Sequence, residues 1–199
     1  MAGVPFVGLT GGLGAGKSEA LRALAELGAA TMSTDAVVHD LLASEELRDI
    51  VVERLGSDVA DDGRLDRSLI AARIFGDDEA RAWLEGELWP RVGRRVADWK
   101  EEVEALDPPP PAAVVEVPLL FESGMEAAFD ATIAVVADES VREERAGARG
   151  HAAVSERAGR QLSQAEKAER ADFEVRNDGT LEELRETLSR LLAKLELVP

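Results

Sequence analysis

The chain has 199 residues, 45% of them hydrophobic, no cysteine and a formal net charge of −17. This length and composition predict one folded domain, and the lack of cysteine excludes disulfides and thiolate metal sites. The strong acidity argues against a general binder of nucleic acids or acidic membranes, because those partners are themselves negatively charged. A nucleic-acid or membrane partner is therefore not expected.

No segment of the sequence indicates export or membrane insertion. No apolar run approaches the roughly 20 residues that cross a bilayer. Met1 leads into VPFVGLT without a basic region or a cleavage signal. We therefore expect a cytoplasmic protein. We also expect a monomer, because no heptad pattern or apolar stripe calls for a second copy.

Five apolar segments have the composition of strands and alternate with helical patterns. In chain order they are VPFVGLT, AATMS, AVVEVPLLF, DATIAVVAD and DFEVRNDG. A helix after the first strand is expected to stop at Gly28. AATMS is expected to end near Asp35, and the third strand is expected to continue into a loop. The alternation of strands with helices predicts an α/β fold with a parallel sheet.

The remaining segments are mostly helical. A long charged region after Asp35 is interrupted by the turn DDGR, and LDPPPPA must be a loop because consecutive prolines cannot donate ladder hydrogen bonds. DESVREER begins a helix with acidic residues in its first turn. The last helix is expected to begin with a capping box of Thr180 and Glu183. Its leucines share one side: Leu181, Leu184, Leu188, Leu191, Leu192 and Leu195.

A glycine-rich loop follows the first strand and fits G-x-x-x-x-G-K-[ST] without a mismatch. Glycines allow backbone N–H groups to surround phosphate oxygens, and the next helix adds its positive dipole end. Lys17 can reach the β- and γ-phosphates, and the Ser18 hydroxyl can bind Mg²⁺. A purely structural turn would not explain the Lys–Ser pair, so the loop predicts a bound nucleoside triphosphate. The residues concerned are Gly11, Gly12, Leu13, Gly14, Ala15, Gly16, Lys17, Ser18 and Glu19.

The later part of the chain bears on the class of reaction. The last strand is followed by VRNDGT, which lacks the lysine of the guanine-specific Asn/Thr-Lys-x-Asp motif, and the signature of ABC-type ATPases is absent. Basic residues cluster between 142 and 170: Arg142, Arg145, Arg149, Arg157, Arg160, Lys167 and Arg170. The cluster fits the arginine-bearing lid of a small-molecule kinase, or charge pairs with neighbouring glutamates on helices.

A kinase that acts on a hydroxyl needs a carboxylate to orient the acceptor or to accept its proton. Asp35 follows the second strand, and the carboxyl ends of parallel strands line the ligand crevice. The same aspartate also fits the N-cap of the helix AVVHDLL. Its position leaves both roles open.

Five segments, in this order, resemble the dephospho-coenzyme A kinase family: GLTGGLGAGKS, TDAVVHDLL, GRLDRSLIAARIF, VVEVPLLFE and RQLSQAEKAERADFEVRNDG. The resemblance covers nearly the whole chain. It implies transfer of the ATP γ-phosphoryl group to the ribose 3′-hydroxyl of dephospho-CoA with Mg²⁺, the last step of coenzyme A synthesis. It also implies a single P-loop kinase domain: a five-stranded parallel core (1–35 and 112–199), a helical substrate-binding insertion (about 36–111) and a short lid (about 142–160).

The resemblance further implies roles for individual residues. Asp35 matches the proposed catalytic base, and Lys17 and Arg149 would act on the transferring phosphoryl group. Further residues implied in ATP binding are Arg145 and Asn177, those implied in acceptor binding are Asp35, His39, Arg73, Pro118, Leu119 and Arg157, and those implied in metal binding are Ser18 and Glu116. The residues alone also allow Asn177 as a turn former, His39 as a packed helix residue and Glu116 as a hydrogen-bonding loop residue.

The chain departs from the family at several positions. Ser33-Thr34-Asp35 stands where the family has Asp-Ala-Asp, Trp89-Pro90 where it has His-Pro, and Glu19 where it has a small hydroxyl residue. The lid segment RAGARGHAAVSER is also shorter and contains two glycines. Two alternatives follow: a P-loop kinase for another small metabolite or nucleotide, and an ATP-binding module that has lost its reaction.

Overall fold

The fold is described by a computed structural model that covers residues 3–147 and 161–195. Numbered along these residues, the strands are β1 (Phe6–Gly11), β2 (Ala30–Ser33), β3 (Ala60–Asp61), β4 (Arg64–Leu65), β5 (Ala113–Glu116), β6 (Ala131–Val136) and β7 (Phe173–Arg176). The helices are α1 (Lys17–Glu26), α2 (Thr34–Ala43), α3 (Glu45–Leu55), α4 (Arg67–Ile74), α5 (Asp78–Glu104), α6 (Glu139–Gly147), α7 (Gln164–Arg170) and α8 (Leu181–Leu195). Within the same ranges, no helix has the length and apolar character needed to cross a bilayer.

The larger sheet has five parallel strands in the order β2-β5-β1-β6-β7. β1 lies at its centre, with β5 on one side and β6 on the other. These three strands are buried along their whole lengths, as expected for a sheet covered by helices on both faces. The predicted α/β fold with a five-stranded parallel sheet is confirmed.

The carboxyl ends of β1, β2 and β5 meet at one edge of this sheet. Glu116 is the last residue of β5 and lies in register with Leu9 of β1 on one side and Ser33 of β2 on the other. The loops that follow these strands therefore start at the same edge, where ligands of parallel α/β proteins bind.

The third strand is shorter than the apolar run that predicted it. β5 ends at Glu116, and one further bond joins the Val117 N–H to the carbonyl of Leu9 at 2.8 Å. Pro118 has no N–H and cannot continue the pairing. The rest of the run forms a turn, although its Leu120 is fully buried. Apolar composition reports burial, and burial continues here after strand pairing has stopped.

β1 ends at a residue that must be glycine. Gly11 has a φ of +155°, and a Cβ atom there would overlap the carbonyl oxygen of Val135 on β6. Backbone conformation and space thus both exclude a side chain at the point where the strand enters the glycine-rich loop.

Asp172 fixes the start of β7 against β6. Its Oδ2 accepts hydrogen bonds from the Thr132 N–H and the Thr132 hydroxyl, each at 2.8 Å. The Asp172 N–H donates back to the Thr132 hydroxyl at 3.1 Å. These bonds set the register of β7, and with it the position of Asn177 immediately after the strand.

The chain divides into two compact units. The first runs up to Ser33 and resumes at Trp99. In this unit α1 and α8 bury apolar side chains in a core that includes the sheet, where Leu24, Ile133 and Leu188 are completely buried. This core supports the strand edge from which the glycine-rich loop leaves.

The structure confirms the predicted capping box of the last helix, α8, and buries most of the leucines on its apolar side. The Thr180 N–H donates to Glu183 Oε2 at 2.7 Å, and the Glu183 N–H donates to the Thr180 hydroxyl at 3.3 Å. Of the six leucines predicted to share one side, five are buried, whereas Leu181 is 57% exposed. Leu181 is the first residue of α8, in a turn that precedes the buried part of the helix.

The second unit, Thr34–Asp98, is mainly helical and has its own core. Leu47, Val51 and Val59 are its most deeply buried side chains. The predicted turn DDGR is confirmed, and it closes a hairpin of β3 and β4. The sequence pattern did not indicate this hairpin, because each strand has only two residues. The predicted substrate-binding insertion, about 36–111, overlaps this unit, and its binding role stays a prediction.

Substitution of Gly11 tests the entrance to the loop. We expect Gly11→Ala to lower the free energy of unfolding by about 2–4 kcal/mol, because the new Cβ would collide with the backbone of β6. The matched control is Gly86→Ala in α5, where a Cβ meets nothing within 4 Å and alanine should stabilise the helix by about 0.5–1 kcal/mol. Urea unfolding measures both changes. Equal stabilities of the two variants would contradict the conformation of Gly11.

The capping box of α8 predicts a dependence of stability on pH. Hydrogen bonds from Thr180, first from its N–H and then from its hydroxyl, hold the pKa of Glu183 below its ordinary value. A carboxyl with a lower pKa in the folded state stabilises the fold above its unfolded pKa, about 4.3, and loses this effect as the pH falls further. Glu183→Gln should therefore lower the urea midpoint at neutral pH, and this difference should shrink as the pH falls below about 4.3. A pH-independent difference would refute the capping role.

Candidate active site

The loop between β1 and α1 leads to a helix N-terminus without a side-chain cap. The Ala15 N–H donates to the Gly12 carbonyl at 3.2 Å, and Gly16 enters the helix in the left-handed conformation. No side chain of the described residues caps α1, whereas Ser44 caps α3 and Ser163 caps α7. Gly16, the cap residue of α1, thus offers no side-chain acceptor to the first turn, an arrangement that suits a bound anion.

Lys17 lies against the loop that precedes it. Its ammonium donates to the carbonyl oxygens of Gly11 and Gly12, each at 3.1 Å. Both acceptors are neutral, and hydrogen bonds from an ammonium to charged phosphate oxygens are shorter and stronger. The lysine is therefore held at the loop by contacts that a phosphate group can replace.

Two side chains from distant segments hold the outside of the loop. Arg142 Nε donates to the Leu13 carbonyl at 2.9 Å, and Asn177 Nδ2 donates to the Ala15 carbonyl at 2.9 Å. Asn177 is 4% exposed, and its own N–H donates to the carbonyl of Val136 at 2.8 Å. The loop carbonyls are thereby bonded by protein groups.

Asn177 is a structural support of the loop and more than a turn former. A Cβ atom on Gly16 would overlap its Nδ2, so the glycine permits the close approach of the asparagine amide. The main-chain carbonyl oxygen of Asn177 accepts a hydrogen bond from Arg145 Nη1 at 3.0 Å. The two residues predicted to bind ATP after β6, Arg145 and Asn177, are therefore in direct contact beside the loop.

Sequence reasoning placed Arg142 only in the basic cluster and assigned no role to Gln164, yet both belong to this arrangement. Gln164 Nε2 donates to the Ala137 carbonyl at 2.8 Å, and its Oε1 accepts from the Ala137 N–H at 3.2 Å. Its Cβ lies 3.1 Å from the place where a Cβ on Gly12 would stand. The available signals were the basic cluster for Arg142 and the segment RQLSQAEKAERAD for Gln164. Neither signal names a main-chain partner.

The first residues of α1 carry the predicted metal and phosphate contacts. Ser18 is exposed, which leaves its hydroxyl accessible. Glu19, which departs from the family pattern, forms an ion pair with Arg22 on the same helix. The positive charge of Arg22 therefore partly offsets the negative charge that Glu19 adds near the phosphate site.

Glu116, Pro118 and Leu119 lie where β5 ends. The Glu116 side chain is buried, at 6% exposure, between the ends of β1 and β2. Pro118 and Leu119 are half-buried, and the Pro118 carbonyl accepts a hydrogen bond from the Thr10 hydroxyl at 3.4 Å. In the described ranges, no group of three or more His, Cys, Asp or Glu side chains has the arrangement of a metal site.

Three further predicted residues belong to the second unit. Asp35 is exposed in the first turn of α2, which begins at Thr34, so the N-cap alternative for Asp35 was wrong. His39 is exposed four residues later on the same helix, and the alternative of a packed histidine was also wrong. Arg73 Nε donates to the Leu55 carbonyl at 3.2 Å, at the end of α3.

Two predicted arginines, Arg149 and Arg157, lie outside the described residues, as does most of the predicted lid. Their roles stay predictions. Trp89, which replaces a histidine of the family pattern, is half-buried within α5.

Comparisons with known proteins identify the family of the chain. A family model described as dephospho-CoA kinase matches residues 5–183. A dephospho-CoA kinase of Protochlamydia amoebophila is 38% identical over 195 residues, 96% of this chain and 96% of that protein. A crystal structure from Thermus thermophilus has a TM-score of 0.81 at 31% identity, over 98% of this chain and 99% of that one. A dephospho-CoA kinase of Campylobacter jejuni shares the fold, with a TM-score of 0.65 at 21% identity over 98% of both chains. The chain therefore belongs to the dephospho-CoA kinase family.

Proposed function

We propose that the protein transfers the γ-phosphoryl group of ATP to the ribose 3′-hydroxyl of dephospho-CoA, giving coenzyme A and ADP. The observation that carries the proposal is the braced glycine-rich loop within a chain that matches this family from residue 5 to residue 183. In the reaction, the acceptor oxygen bonds to the γ-phosphorus while the bond from that phosphorus to the ADP oxygen breaks. Such a transfer depends on positioning and charge stabilisation rather than on covalent catalysis.

The loop and Lys17 would bind the triphosphate. The N–H groups at the start of α1 donate to phosphate oxygens, and the Lys17 ammonium exchanges its contacts with Gly11 and Gly12 for the β- and γ-phosphates. Arg142 and Asn177 keep the loop in shape from outside. Arg149, by the family resemblance, adds positive charge beside the transferring group.

Ser18 and Glu116 are the residues that would hold Mg²⁺, the serine directly and the glutamate through water. Hydroxyl and carboxylate oxygens are the ligands that Mg²⁺ prefers, and substrate phosphates commonly complete its coordination. The accessible Ser18 hydroxyl and the buried Glu116 carboxylate at the strand edge fit this donor set. When bound, the metal neutralises charge on the phosphate oxygens.

Asp35 would accept the proton of the acceptor hydroxyl and orient its oxygen. It is exposed and stands two residues after Ser33, the last residue of β2. The remaining predicted acceptor-binding residues are His39, Arg73, Pro118, Leu119 and Arg157. Because ATP and dephospho-CoA are small molecules, we propose no nucleic-acid or membrane partner. We also propose that the protein acts as a monomer, and that it acts in the cytoplasm.

The proposed reaction is tested by its product. Incubation of the protein with ATP, Mg²⁺ and dephospho-CoA should yield coenzyme A, detected by mass spectrometry as the gain of one phosphoryl group. Lys17→Met should lower kcat about a hundredfold or more, because it removes a cation from the transferring group. Surface variant Lys194→Met in α8 serves as the control and should retain full activity.

Two outcomes would replace this proposal. Phosphorylation of another acceptor from a panel of hydroxylated metabolites and nucleotides, without coenzyme A formation, would indicate a different small-molecule kinase. ATP binding without any phosphorylated product would indicate a module that has lost its reaction.

Asp35→Asn tests the proposed base. Loss of the carboxylate should lower kcat about 10²- to 10⁴-fold with little change in ATP affinity, because the phosphate site is left intact. Asp40→Asn, an exposed aspartate on the same helix, is the matched control. Turnover close to that of the wild type in Asp35→Asn would remove Asp35 from the mechanism.

A further inference from the structure

A buried ion pair lies outside the groups used by the proposed mechanism. Lys167 on α7 has no exposed surface, and its ammonium donates to the Pro118 carbonyl at 2.6 Å. It also pairs with Glu122 Oε1 at 3.0 Å. Burial of two charges costs much free energy, which their attraction repays only in part, so a buried pair is weak evidence for stability alone. The positions of its partners indicate what the pair does.

The Lys167 ammonium joins three segments of the first unit. The Pro118 carbonyl that it contacts also accepts from the Thr10 hydroxyl, one residue before the glycine-rich loop. Glu122 Oε1 also accepts from the Leu162 N–H at 2.8 Å, just before α7 begins. The end of β1, the turn after β5 and the start of α7 are therefore held together around one cation.

The turn from Pro118 to Glu122 is thus fixed at both ends by Lys167. Two of its carbonyls accept from residues that follow it: Leu119 from the Ser123 N–H at 3.0 Å, and Leu120 from the Met125 N–H at 3.1 Å. The first carbonyl of the turn and its last carboxylate both bond to the same ammonium. Removal of that ammonium would leave the turn without its common anchor.

We propose that Lys167 and Glu122 are positioning residues that fix the turn 118–122 for binding of the acceptor substrate. The inference rests on the proposed function, in which Pro118 and Leu119 contact dephospho-CoA. Lys167 acts through the Pro118 carbonyl, since a completely buried side chain does not reach a ligand. The pair would then have two effects, one on the stability of the fold and one on the position of the turn that binds the acceptor.

Two variants separate these effects. Lys167→Met keeps the length of the side chain but removes its charge and donors, and it leaves the Glu122 carboxylate buried without a counter-charge. The double variant Lys167→Met/Glu122→Leu removes both charges, and replacement of a buried pair by apolar residues commonly restores stability. In both variants the Pro118 carbonyl still lacks the ammonium. Lys194→Met, the same change at an exposed position of α8, is the matched control.

The expected result is a split between stability and acceptor kinetics. Lys167→Met should lower the urea midpoint, and the double variant should recover most of it. Both variants should lower kcat/KM for dephospho-CoA about ten- to a hundredfold, because the acceptor is misplaced, while the KM for ATP stays within about twofold. Recovery of both stability and acceptor kinetics in the double variant would overturn the proposal, as would equal changes in the two KM values.

Hydrogen exchange gives a readout that does not depend on activity. Amides in the peptide 117–125, which include those of Ser123 and Met125, should exchange faster in the double variant than in the wild type. If the wild type makes no coenzyme A, the proposed function fails, and the exchange measurement alone decides whether the pair fixes the turn. Exchange equal to that of the wild type would overturn the positioning role.

Discussion

The polar groups of the glycine-rich loop are divided between the protein and a ligand, and the site depends on this division. The carbonyls of Leu13 and Ala15 are bonded by Arg142 and Asn177, and those of Gly11 and Gly12 by Lys17. Gly16, the cap residue of α1, has no side chain that could accept from the N–H groups at the start of the helix. The bonds from Arg142 and Asn177 remain when Lys17 exchanges its contacts for phosphate, so the loop can bind phosphate and keep its shape.

The groups that hold the loop come from segments that follow β6 and β7, the two strands on the side of β1 away from β5 and β2. Arg142 lies on α6, Gln164 is the first residue of α7, and Asn177 directly follows β7. The loop geometry therefore depends on β6 and β7 being in register, which the contacts of Asp172 with Thr132 provide. A short motif at residues 11–18 thus acquires its function from the carboxyl-terminal third of the chain.

The sheet and the loop could be predicted because their signals are local. Strand composition and the spacing of Lys17 and Ser18 are visible in a few residues, whereas the Arg142 and Asn177 contacts join residues 129 and 162 positions apart. Their partners are main-chain carbonyls, which every residue carries, so no residue type marks them. The exposure of Leu181 was missed because periodicity gives a helix face but not the point at which the helix reaches the core.

The open N-terminus of α1 also links ligand binding to folding. A glycine cap costs a helix only about a few tenths of a kcal/mol relative to serine or aspartate, and a triphosphate that occupies this end would add hydrogen bonds to the first turn. A ligand present at a hundred times its dissociation constant stabilises the native state by about 2.7 kcal/mol. The fraction of this protein that is folded would then follow the nucleotide concentration around it, so that a cell rich in ATP would also hold the more durable form of the enzyme.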